Sequence, residues 1–166
     1  MMYPFDLIAL LSFLALLAWA AVSDGARFLI PNRICAAIVL LYPVHVLASP
    51  EQVAWLPALG IAAAVMAVGT FIFSQGWAGG GDVKLFAAVS LWAGPNQFTS
   101  LLFVTAMAGG VLAAGAVLLW LFAKGRLRAR VSSGEAVDAP IAKPVLPYGI
   151  AIATGGAFVA VQLLRG

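Results

Sequence analysis

Charge is what this sequence has least of. Of its 166 residues only 9% are Asp, Glu, Lys or Arg, against 64% hydrophobic, and the mean hydropathy is +1.07. A soluble domain of this length leaves a large share of its surface in water, so it could not hide that much apolar area. An integral membrane protein is the class that remains. Cysteine is almost absent: Cys35 stands alone, which excludes an internal disulfide and a CxxC zinc site and leaves a small core residue. Histidine is equally scarce. His45 has no second His, Cys or nearby acid at ligand spacing and reads as an interfacial polar group, so no metal and no cofactor are expected. The net charge of +3 would suggest nucleic acid in a soluble chain. Here topology accounts for the basic residues, and no nucleic-acid partner is expected. No internal repeat is present.

What is abundant is apolar sequence in helix-length pieces. The expected fold is all-α, with six transmembrane helices over residues 5–23, 33–48, 54–74, 83–93, 98–123 and 147–164, forming one membrane-embedded domain, 1–166. Ala18-Trp19-Ala20 looks like a signal-peptide cleavage site, but Asp6 and the lack of Lys or Arg ahead of the run argue for a permanent first helix. Gly25 is a candidate end for that helix, Pro31 disfavours helix before it, and Asn32 suits an N-cap for the second. The fourth helix is short. Eleven residues rise about 16 Å, roughly half of the bilayer core, so either the preceding Gly79-Gly80-Gly81 loop or the following Gly94-Pro95-Asn96-Gln97 turn is recessed, and a polar cavity is expected nearby. Gly109, Gly110 and Gly115 in the fifth helix suit close helix packing. A hydrophilic loop, about 124–146, is the only stretch of soluble composition.

Six crossings put Arg27, Arg33, Lys84, Lys124, Arg126, Arg128, Arg130 and Lys143 on one side and only Arg165 on the other. The basic side is therefore expected to be cytoplasmic, with both termini outside. Asp24 and Asp82 then share the cytoplasmic edge, whereas Asp6 and Glu51 lie outside and Glu135 and Asp138 in the loop. Acids at the edge of hydrocarbon are costly, and three glycines forfeit helix propensity and packing, so Gly79-Gly80-Gly81-Asp82 points to a use other than stability. Two neighbouring carboxylates cannot both ionise easily. One can take a proton from water while the other hydrogen-bonds a peptide carbonyl, which is acid and base catalysis of amide hydrolysis without a cofactor. Asp82 opens the fourth helix and Asp24 closes the first, so the helix dipoles suggest Asp82 as the ionised base and Asp24 as the proton carrier. The glycines would let an extended substrate backbone approach and pair as an added strand.

Gly79-Gly80-Gly81-Asp82-Val83-Lys84-Leu85, Asp24 followed by Ile30-Pro31-Asn32, and the terminal Pro147-Tyr148-Gly149 together resemble the type IV prepilin peptidase family of GxGD aspartic peptidases. The resemblance implies that Asp24 and Asp82 are catalytic, with Gly79, Gly80, Gly81, Lys84, Pro31 and Asn32 binding substrate or supporting the site. It further implies removal of a short basic leader from pilin-like precursors at the cytoplasmic face of the bacterial inner membrane. The larger members carry an extra region with paired CxxC motifs and methylate the new amino terminus. This chain has neither and is more similar to the single-domain peptidases of Flp/Tad pilus systems. Its expected partners are the precursor and the lipid bilayer, with self-association into a homo-oligomer left open. Two other readings fit the same acids: a small transporter component in which they bind a proton or cation, and a noncatalytic subunit of a pilus or secretion assembly.

Overall fold

The computed structural model describes residues 4–49, 52–132 and 146–165, without the side chains of 127–132. The chain is all-helical there: α1 (Pro4–Arg27), α2 (Asn32–Ala48), α3 (Trp55–Ser74), α4 (Gly80–Ser132) and α5 (Tyr148–Arg165). Four of these are long and apolar enough to cross a membrane, and α2 is a shorter apolar helix. Glu51, Glu135, Asp138 and Lys143 lie outside the described residues.

The helix ends differ from the sequence expectation in ways that matter for the site. α1 does not stop at Gly25. It continues to Arg27, where the Phe28 N–H still bonds the Asp24 carbonyl at 2.8 Å, and the left-handed residue is Phe28, with φ 51°. Asp24 therefore sits on the last turn of α1, at the C-terminal end expected of it, with three further helical residues before the connector. Asn32 is not the N-cap of α2. Pro31 takes that position with extended backbone and no side-chain cap, which frees the Asn32 amide for another partner.

The triglycine is only partly a loop. α4 begins at Gly80, so Gly80 and Gly81 form its first turn, ahead of the expected start at Val83. Its first limb, 80–93, rises about 21 Å. Instead of a four-residue turn at 94–97, Gly94 alone is non-helical, with φ 54° and ψ −170°, a region essentially confined to glycine. The chain reverses there. Gly156 of α5 packs on Val89 of the first limb, while along the second limb Gly155 meets Leu101 and Thr105, and Gly109 meets Ala151 and Tyr148. The second limb thus runs antiparallel to α5 and the first runs parallel to it. Helical geometry continues to Ser132, so Lys124 and Arg126 extend a helix rather than open a loop.

The core lies between α1, α2, the first limb of α4, and α5. Leu10, Phe13 and Leu17 recur at helical spacing on α1 and are fully buried, and Phe13 stacks on Trp92 with ring centroids 4.2 Å apart. Small residues on α5 let its neighbours approach: a Cβ on Gly156 would come within 2.8 Å of Leu17. α3 is different. Ala58 is its only buried residue, and it packs on α4 through Gly69 against Val83.

His45 corrects the sequence reading. It is buried, and its Nδ1 lies 2.5 Å from Asp6 Oδ1, an acid 39 positions away that local spacing could not reveal. The ring also stacks on Trp92. Asp6, His45, Asn96, Gln97 and Gln162 line a cavity of about 220 Å³, which places the start of α1 and the end of α5 together at one end of the bundle.

Candidate active site

Asp24 is brought to the other end by the length of α1. Only 5% of it is exposed, and its Oδ2 accepts a 2.7 Å hydrogen bond from the Gly149 N–H. That N–H belongs to the first turn of α5, where amides have no partner within the helix. A Cβ on Gly149 would lie 2.8 Å from Asp24 Oδ2, 2.9 Å from Asp24 Cβ and 2.8 Å from Ile30 Cδ1. The residue is glycine because the carboxylate occupies the space a side chain would need.

Asp82 is the third residue of α4 and is half-buried. Its side chain folds back over Gly79, where a Cβ would stand 2.6 Å from Oδ2. This is the geometry of a capping residue that reaches back to the start of its own helix. Asp82 lies within electrostatic reach of Asp24. The topology thus gathers two acids 58 positions apart. Among the described residues, neither has a Lys or Arg at ion-pairing distance, and the one acid in contact with a basic side chain is Asp6, against His45. Isolated acids each neutralised by a local base do not fit that arrangement. No three of His, Cys, Asp and Glu converge among the described residues.

The other candidate residues divide by what they touch. Lys84 Nζ donates to Asn32 Oδ1 at 3.0 Å, tying the start of α4 to the start of α2. Pro31 supplies the extended residue that begins α2. Gly80 abuts the Phe73 ring, and Gly81 abuts Ile30, whose Cβ would be 3.2 Å from an added methyl. Ile30 is therefore the piece that sequence reasoning left out of the site. Buried between Gly81 and Gly149, it spaces the two helix starts that carry and contact the acids. Its place in Ile30-Pro31-Asn32, and that of Gly149 in Pro147-Tyr148-Gly149, was the available signal.

Residues 11–114, which include both acids, match the family described as Type IV leader peptidase family. The chain belongs to that family. A Bacillus subtilis (strain 168) protein named Prepilin leader peptidase/N-methyltransferase is 33% identical over 113 residues, which is 68% of this chain and 46% of the relative. The chain thus spans about half the length of that curated leader peptidase. No solved structure matches it. Gly149, which holds Asp24 in place, lies beyond the residues matched to the leader peptidase family.

Proposed function

We propose that this member of the leader peptidase family is a membrane aspartic endopeptidase that removes the short basic leader from type IV pilin-like precursors of the Flp kind. The observation that carries the reading is that Asp24, held by the Gly149 N–H, and Asp82, folded back over Gly79, lie within electrostatic reach of each other with no neutralising base among the described residues. One carboxylate accepts a proton from water as its oxygen attacks the scissile carbonyl. The other, protonated, hydrogen-bonds the carbonyl oxygen; collapse of the tetrahedral intermediate breaks the C–N bond, and the leaving nitrogen takes up a proton. The dipole of α5 adds to those of α1 and α4. Asp82 faces the start of α4, but Asp24 faces the start of α5, so each acid meets a positive helix end. The shared proton belongs to the pair.

In this reading the reversal at Gly94 makes the two limbs of α4 separate crossings, six in all. The site faces the cytoplasm of the bacterial inner membrane and both termini face outward. The basic residues on the site side support that orientation.

The test is co-expression with candidate precursors, with leader removal scored by mass spectrometry. Asp24→Asn and Asp82→Asn each lose activity by at least about 10²-fold while remaining inserted, because general acid and base catalysis supplies about 10²–10⁴ per group. kcat/KM of the intact enzyme follows a bell-shaped pH profile. Processing that survives either substitution overturns the reading.

A further inference from the structure

Between α3, both limbs of α4 and the start of α5 lies an apolar groove of about 840 Å³. Val65 and Ile72 form one wall, Leu102 and Ala106 the other, and among the described residues Asp82 is the only charged one that lines it. Along the second limb the lining runs from Phe98 to Ala113, about 22 Å at helical rise. The groove is thus a channel along the bundle that ends on a carboxylate of the catalytic pair.

We infer that this groove seats the apolar helix of the precursor, with the N-terminal end of that helix at Asp82 and its body running along α3 toward the Gly94 end. The inference rests on the peptidase reading and adds where the substrate lies and which way it points. Charge sets the direction. A helix N-terminus carries partial positive charge and four unpaired N–H groups, so it meets the two acids favourably, whereas the C-terminal end would present carbonyl oxygens to carboxylates. The amide just ahead of that helix lies outside its hydrogen-bonded ladder and is free to be attacked. Other occupants match less well. A lipid chain satisfies the walls but brings a phosphate toward Asp82. A spanning helix from a second copy fills the channel without offering an extended amide to the acids.

The test is photo-crosslinking in membranes with the Asp24→Asn enzyme, which keeps the Asp82 charge, and an uncleaved precursor, a photoreactive residue replacing Val65, Ile72, or, as controls on α2, Leu40 and Leu47, which are 75% and 87% exposed. Ile72 adducts should fall near the cleavage junction, and Val65 adducts about seven residues further into the apolar segment, since the two positions are seven residues apart on a facing helix. The controls should yield at least tenfold less. Equal yield at the controls, adducts to lipid or to a second copy alone, or the opposite order of registers overturns the inference. In cleavage assays with otherwise unaltered enzyme, Ala106→Trp raises KM for the full precursor at least tenfold with kcat within about twofold, while Leu40→Trp changes neither. A fall in kcat at constant KM also overturns it. Crosslinking needs no cleavage, so adducts at the groove with a wild-type enzyme that cuts nothing refute the peptidase reading alone, and cleavage without groove adducts refutes the groove alone.

Discussion

At the scale of single residues, the site depends on two positions where a side chain is missing and one where it reaches across. Gly149→Ala puts a methyl where the Asp24 carboxylate lies. Displacement of about 1 Å in a catalytic group costs about 10²-fold, and that loss in kcat is expected with the protein still folded. Gly25→Ala is the comparison, because its nearest neighbour would be Ile150 Cδ1 at an ordinary 3.4 Å; activity should stay within about twofold, measured in the same cleavage assay. Lys84 and Asn32 are exposed, so their hydrogen bond is worth about 1 kcal/mol or less. Lys84→Ala and Asn32→Ala should each lower kcat/KM about two- to fivefold, and the double variant no further. Additive losses in that double-mutant cycle refute a shared role.

At the scale of elements, α4 is the part whose path decides the most. Its first limb carries Asp82 at one end and Trp92 at the other, and Gly94 turns the chain back beside α5. A Cβ at Gly94 would meet only Ala58, at 3.8 Å, so the cost of Gly94→Ala comes from its backbone angles and amounts to about 1–3 kcal/mol. Thermal unfolding in detergent should show a lower midpoint for this variant. An unchanged midpoint means the reversal tolerates another conformation. The first turn of α4 follows the same logic in reverse: Gly80 and Gly81 relinquish helix propensity so that Phe73 and Ile30 can close on the backbone that presents Asp82.

At the scale of the whole molecule, the bundle has two polar ends and an apolar middle. One end holds the aspartates; the other holds Asp6 and His45, which join the start of α1 to the end of α2 beneath the ring of Trp92. Removing one member of a buried pair costs about 3–5 kcal/mol, whereas replacing both with apolar groups is often close to neutral. Asp6→Leu alone should therefore destabilise strongly, and Asp6→Leu with His45→Phe should recover much of the loss, read by thermal unfolding. Whatever protein remains folded should cleave normally, since the pair lies at the opposite end from the acids. What the sequence by itself determined was the membrane class, the helical content, the break at Gly94-Pro95 and the placing of Asp24 and Asp82 as acids at helix ends among apolar neighbours. Hydropathy, glycine and proline act over a few residues, and an acid among apolar neighbours stands out in any linear reading. Only the tertiary structure decided that Gly149 donates to Asp24, that Ile30 spaces the two helix starts, that Asn32 serves Lys84 instead of capping α2, and that His45 has an acid beside it. Each of those contacts joins residues 39 to 125 positions apart or wedges between separate helices, and such distances are closed by packing, which no local pattern encodes.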